Sequence, residues 1–186
     1  MQKNPGSPRT SWEKVKTWYD DSVGAEGHYY HRQVILPKLL KSWEIHRVKS
    51  ASVVDLACGQ GVLARHLPER VPYLGVDASK SLIQAAKEHD KNTLHDFLIA
   101  DLSKPLKGAT DKFSHAAMIL ALQNIEAPLT AIQNAHQLLK EGGIFSIVLN
   151  HPCFRIPRQS SWGVDESKKT QYRRVDAYMS ELKIPI

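Results

Sequence analysis

Cysteine is almost missing from this chain: two in 186 residues, Cys58 and Cys153, far apart and without metal-ligand neighbours. That spacing argues against a disulfide framework or a zinc site, and reduced thiols are expected. There is no run of about 18 apolar residues, the length a membrane-spanning helix requires. The polar start Met1–Arg9, with Pro5 and Pro8, carries no apolar signal-peptide core, so a cytoplasmic protein without a membrane partner is expected. Also missing are a Lys/Arg-rich block interleaved with aromatics, the mark of an RNA-binding module, and any metal-ligand cluster or nucleophilic triad. What remains is 42% hydrophobic content in a chain long enough for one globular domain with a sizeable core. The formal charge of +6 is uneven. Residues 1–50 hold nine Lys/Arg against five Asp/Glu, residues 51–150 nine against ten, and residues 151–186 seven against four. A neutral centre with basic flanks fits an anionic substrate, weak nucleic-acid affinity or a solvated surface equally well.

The chain is organised around Val53-Val54-Asp55-Leu56-Ala57-Cys58-Gly59-Gln60-Gly61. Ser52 to Leu56 has the β-branched content and length of a buried parallel strand, and Val62 to Leu67 reads as the first turns of a helix. Strand, glycine turn and helix together let backbone approach a ligand without a Cβ in the way, at the carboxyl edge where open α/β sheets bind ligands. Cys58 reads as a small buried thiol in that turn. The dinucleotide fingerprint G-x-G-x-x-G is not met, because Ala57 and Ala64 stand where its outer glycines would fall.

Asp55-Leu56-Ala57-Cys58-Gly59-Gln60-Gly61 resembles the D-x-x-C-G-x-G form of motif I in class I S-adenosylmethionine-dependent methyltransferases. The resemblance implies a Rossmann-like, doubly wound α/β domain with a mainly parallel sheet and an N-terminal helical lid. It implies S-adenosyl-L-methionine as methyl donor, S-adenosyl-L-homocysteine as product, and no metal. Asp55, Ala57, Cys58, Gly59 and Gly61 take the motif I positions, with Asp55 ordering the turn or holding the donor's ammonium through water.

Pro72–Asp77 reads as a second strand ending in an acid, with Ser79 capping a helix from Lys80 to about His89. Asp77 follows Gly59 by 18 residues, close to the spacing of a carboxylate that accepts ribose hydroxyls from the next strand tip. The resemblance gives Asp77, with Ala78 beside it, that role. Phe97–Leu102 repeats the arrangement, and by resemblance Asp101 accepts from the adenine amino group while the Leu102 backbone addresses the ring. A fourth strand, Phe113–Leu122, exits at Ala121 and Leu122 beside the methyl position. Ser114-His115 stand near its start, where a common family pattern has an acid. A helix from Ala127 to Leu139 is expected to end at Gly142-Gly143, before a fifth strand over Ile144–Asn150.

Before the first strand, Met1–Thr10 reads as disordered, Ser11 caps a helix over Trp12–Tyr19, and Gln33 onward gives an amphipathic helix with Pro37 in its first turn. Between these two helices the glycines Gly24 and Gly27 precede a dense set of rings. By resemblance Tyr19, Tyr30 and His31 cover the methionine end, where a sulfonium beside aromatic faces gains roughly 0.5 to 2 kcal/mol. His28 and Tyr29 are candidate bases. His151, directly after the fifth strand, is the third, since an unperturbed imidazole titrates near neutrality. Arg155, Arg158 and Trp162 are expected to line an acceptor pocket. Nothing after Trp162 reads as the two strands that complete the family's sheet; Asp165–Leu182 reads as polar and helix-like. A C-terminally truncated or unusually short member with an exposed sheet edge is expected.

The segments expected are therefore a disordered 1–10, a helical lid 11–50, a cofactor-binding core 51–150 and a substrate-side tail 151–186. The expected activity is methyl transfer to a small-molecule acceptor by direct displacement, in a monomer or homodimer. Two rivals stand beside it: an RNA methyltransferase using the basic flanks, and a non-catalytic S-adenosylmethionine-binding or partner subunit. A nicotinamide-binding domain is disfavoured by the glycine spacing. Neither Asp-Pro-Pro-Tyr nor Asn-Pro-Pro-Tyr occurs, which removes the strongest mark of nucleic-acid base methylation.

Overall fold

The computed structural model describes residues 28–107, 112–151 and 160–176. The expected Trp12–Tyr19 helix and the assignments to Tyr19, Arg155 and Arg158 lie outside them. Two compact units divide the chain, Met1–Val148 and Leu149–Ile186.

The first unit is built on five parallel strands: β1 (Val53–Leu56), β2 (Tyr73–Asp77), β3 (His95–Ile99), β4 (Phe113–Ile119) and β5 (Leu139–Val148). Their order across the sheet is β3-β2-β1-β4-β5. The order reverses between β1 and β4, which opens a crevice beyond the carboxyl end of β1. Helices α1 (Leu36–Ser42), α2 (Lys80–His89) and α3 (Pro128–Leu138) flank the sheet. Period-2 alternation divides the core between the two faces. Val53 and Ala117 pack with Leu36, Leu39 and Trp43 on one side, and Val54, Leu56, Ala116 and Met118 pack with Ala131, Ala135 and Leu138 on the other.

Four local expectations are corrected. The segment after the glycine turn forms only a 3₁₀ turn over Ala64–His66. Pro68 is the reason: the residue before a proline is driven from the helical region, and Leu67 is already extended at φ −78° and ψ 152°. Helix α1 is preceded by a π-helical turn over Tyr30–Ile35 and starts with Pro37 at its head, where a missing N–H costs nothing. Gly142 and Gly143 do not end α3, which stops at Leu138; they lie inside β5. There the register moves from Phe113↔Leu139 to His115↔Ile144, and Gly142 takes φ 72°. The extra residues need a conformation glycine adopts without strain.

The fourth correction falls in the second unit. The expected helix after Asp165 is a β-hairpin instead, β6 (Ser160–Asp165) paired antiparallel with β7 (Thr170–Val175), as a two-stranded sheet of its own. Its turn explains the error. The Asp165 carboxylate accepts the Ser167 and Lys168 amides at 3.0 and 3.1 Å, and Lys169 takes φ 51°, so a charged run that looked helical is a side-chain-stapled turn. Across the hairpin the Arg173 guanidinium sits 5.3 Å from the Trp162 ring centre.

Candidate functional site

The turn after β1 is shaped by three left-handed residues, Ala57 (φ 61°), Gly59 (φ 55°) and Gly61 (φ 73°). An alanine there is strained, and the hydrogen bonds around it hold it. The Cys58 amide donates to the Val76 carbonyl at 3.1 Å, and the Gly61 amide to the Cys58 carbonyl at 3.0 Å. The Arg65 guanidinium donates to the Gln60 carbonyl at 2.6 Å. Gly61 also has a packing reason, since a Cβ there would come 2.9 Å from the Phe97 ring.

Asp77 closes the corner. One carboxylate oxygen accepts the Gly59 amide at 2.9 Å and the other the Ser79 amide at 2.8 Å. The acid at the β2 tip thus fixes the glycine turn and the start of α2 together, with half-buried Ala78 enclosed between its two contacts. Ser79 completes the cap by accepting the Leu82 amide at 3.3 Å. A carboxylate offers about four lone-pair sites, and that of Asp77 stands at the carboxyl end of β2.

Asp101 stands two residues beyond β3, with one oxygen accepting the Ser103 amide at 2.9 Å and the other 3.6 Å from the Lys104 ammonium. A cavity of about 310 Å³ opens beside it, lined by Val76, Leu98, Ala100 and Leu106. Leu102 turns its side chain into the core while its carbonyl accepts from Asn134 at 3.2 Å. Its backbone rather than its side chain is therefore the group available to a base edge. The carboxylates of Asp77 and Asp101 and a largely apolar slot, with Lys104 and Lys107 in its lining, lie along one sheet edge, and this set fits an adenosyl group.

Asp55 behaves differently from its two counterparts. It lies inside β1, level with Gly75 of β2, and is buried. Its carboxylate accepts the Tyr73 hydroxyl at 3.0 Å, and burial, opposed by that bond and reinforced by the charge of Asp77, pushes its pKa up to about 7. Among the described residues Asp77 and Arg65 bond the backbone of the turn, whereas Asp55 bonds Tyr73. Burial likewise raises the Cys58 thiol and the Tyr73 phenol. Gly75 makes room for this cluster: a Cβ there would meet Cys58 Sγ at 2.8 Å, Phe97 at 2.8 Å and Tyr73 Oη at 3.0 Å. Tyr73 and Arg65 were missed from the sequence. A polar-tipped ring at the head of an otherwise aliphatic strand, and an arginine one turn after the glycines, were the available signals.

The rings before α1 divide into two sets. His28 and Tyr30 stack at 5.5 Å, and Tyr29 meets Tyr30 edge-on at 5.9 Å. Tyr29 and Tyr30 are 66% and 59% exposed, and His28 Nδ1 accepts the Tyr30 amide at 3.3 Å. His31 is turned inward. Burial, then the nearby His28 and His66, lower its pKa, and its Nδ1 is buried without a hydrogen bond among the described residues. His115, near the start of β4, packs at 4.9 Å against the Trp43 ring and contacts Ser114 Oγ at 2.8 Å. Burial lowers its pKa as well, so a packed histidine whose neutral form is favoured occupies the strand where the family pattern has an acid. Leu120 leaves β4 at φ 53°, and Ala121 and Leu122 sit half-buried against the α3-side core. His151 and Trp162 belong to the second unit.

The family described as "Methyltransferase domain" matches residues 54–145, from β1 into β5. The chain belongs to the class I S-adenosylmethionine-dependent methyltransferases. Among relatives of this family it is 29% identical over 104 residues to a demethylmenaquinone methyltransferase of Chlamydia muridarum, covering 54% of this chain and 44% of that one. It is 31% identical over 99 residues to a ubiquinone biosynthesis O-methyltransferase of Coxiella burnetii, covering 52% and 42%. The crystal structure of an S-adenosylmethionine-dependent methyltransferase from Mesorhizobium loti matches with a TM-score of 0.61 and 27% identity, covering 75% of this chain and 64% of that one. The chain thus spans less than half the length of these curated relatives. Among the described residues of this methyltransferase domain, no three His, Cys, Asp or Glu side chains form a metal-binding group and no helix is long and apolar enough to cross a membrane.

Proposed function

We propose that this domain transfers a methyl group from S-adenosylmethionine to a small, ring-bearing acceptor of the quinone or phenol kind. The observation that carries the reading is the corner in which Asp77 fixes the glycine turn beside an apolar slot ending at Asp101. The names of the menaquinone- and ubiquinone-related relatives support the acceptor class. The sulfonium supplies the reactive methyl carbon when the donor is bound. The chain's own residues then have to align the acceptor, exclude water and take up a proton.

Asp77 accepts the ribose hydroxyls, and Asp101 accepts from the adenine amino group beside Leu98 and Ala100. The left-handed turn at Gly59 and Gly61 lets the methionine end approach the backbone closely without intervening side chains. Proton uptake falls to His31. Burial favours its neutral imidazole, and its buried Nδ1 has no hydrogen bond among the described residues, which suits a general base. His28, with Nδ1 already engaged, and the exposed Tyr29 rank behind it.

Methyl transfer from radiolabelled S-adenosylmethionine, run against a demethylated quinol, a catechol and total RNA, tests the proposal. Label in a quinol or catechol is expected. Label in RNA alone assigns the rival RNA reading, and tight product binding without turnover on any acceptor assigns the non-catalytic one.

A further inference from the structure

We propose a second binding site, for a diphosphate carried on an apolar body, in a groove at the opposite edge of the sheet from the cofactor corner. The groove has a volume of about 680 Å³ and crosses the amino ends of the strands, within the size range of small-ligand sites. Four cationic side chains rim it: Lys49 before β1, Arg70 before β2, Lys112 before β4 and Lys140 in β5. The floor between them is apolar, from Pro72, Leu74, Leu94 and Phe113. Asp96 is the one carboxylate among the described lining residues.

The crossover helices α2 and α3 point their C-termini toward this edge and contribute about half a negative charge each. Against those and Asp96, a surplus of roughly two positive charges remains among the described lining residues, which favours a multiply charged anion such as a diphosphate. Arg70 is held in place, its guanidinium donating to the carbonyls of Ile45 and His46 at 3.5 and 2.9 Å. Lys49, Lys112 and Lys140 make no ion pair among the described residues. At the opposite edge Asp101 stands among Lys104 and Lys107 and Asp77 adds a second carboxylate, so that edge carries no comparable surplus of positive charge. Leu74 lines both cavities, and the Asp77 tip lies three residues further along β2, about 10 Å at roughly 3.3 Å per residue. A ligand in the groove is therefore out of reach of the transferred methyl, and the site is an anchoring or effector site rather than an acceptor site.

Either a nucleoside diphosphate or a prenyl diphosphate supplies this chemistry. Calorimetry with ADP, farnesyl diphosphate and pyrophosphate on the full chain, with and without saturating S-adenosylhomocysteine, separates them. ADP or farnesyl diphosphate is expected to bind about tenfold more tightly than pyrophosphate, since only they cover the apolar floor. The Lys112→Ala/Lys140→Ala variant is expected to lose at least about tenfold of that affinity while holding S-adenosylhomocysteine unchanged. Four results overturn the site: no binding of any probe at millimolar concentration, equal binding of pyrophosphate, displacement by S-adenosylhomocysteine, or affinity indifferent to the lysine substitutions.

Discussion

Replacing Asp77 with Asn probes the corner with the smallest change of shape. The wild-type carboxylate receives the Gly59 amide at 2.9 Å on one oxygen and the Ser79 amide at 2.8 Å on the other. An amide keeps one acceptor oxygen and sets an NH₂ against the second donor, so whichever way it turns, one backbone N–H loses its acceptor. It also removes the charge that strengthens both bonds and would strengthen those to ribose. One bond to a charged acceptor is worth about 1.5 to 3 kcal/mol, so affinity for S-adenosylhomocysteine should fall by a factor of about 10 to 150. Stability should drop as well, because the turn and α2 share the same staple. Ser79→Ala separates the two effects: it removes the cap on Leu82, costs about 1 kcal/mol of stability, and leaves the nucleoside contacts in place. Paired calorimetry and thermal unfolding on both variants read the outcome. If Asp77→Asn folds and binds within a factor of about two of wild type, an interaction of the size argued is absent and the ribose role is refuted.

Asp55 gives a pH signature. Its folded pKa is raised to about 7 from 3.8, so below pH 3.8 it costs nothing. As pH rises from there to 7 the unfolded chain ionises while the folded one resists, and stability is lost at up to about 1.4 kcal/mol per pH unit. Asp55→Asn should therefore gain stability relative to wild type between pH 5 and pH 7 and level off above; parallel denaturant curves at constant difference would contradict the buried neutral acid. Gly75→Ala should destabilise by about 1 to 3 kcal/mol, because its Cβ would strike Cys58, Phe97 and Tyr73 within 3.0 Å; an unchanged melting temperature would show that this cluster yields easily. His31→Gln should lower kcat with little change in S-adenosylhomocysteine affinity and abolish the acidic limb of the kcat–pH profile, and a retained limb would move the base elsewhere.

The parallel core was legible because each strand announces itself twice, by β-branched content and by the acid or glycine that ends it. The run Val53–Asp55, the tips at Asp77 and Asp101, and the cap at Ser79 all stand where local chemistry put them. Errors came where a neighbour overrode the local signal. Pro68 cut short the helix after the turn, the β4–β5 register drew Gly142 and Gly143 into a strand, and the Asp165 carboxylate folded a charged run back into a hairpin. Roles were harder to read than positions. Asp55, Asp77 and Asp101 look alike in sequence, but Tyr73 and burial make the first a protonatable core group, while only the other two sit along the cofactor edge. His31 and His28 are likewise indistinguishable until the structure buries one ring and exposes the other.

The central claim is that the corner formed by the β1 turn, Asp77 and Asp101 holds an adenosyl group. Titration calorimetry with S-adenosylmethionine, S-adenosylhomocysteine and NADH on the same preparation measures it most directly. Saturable one-to-one binding of the two sulfur compounds, weakened in Asp77→Asn and absent with NADH, is the predicted result. Binding of NADH alone, or of the sulfur compounds with no sensitivity to Asp77, would contradict the account.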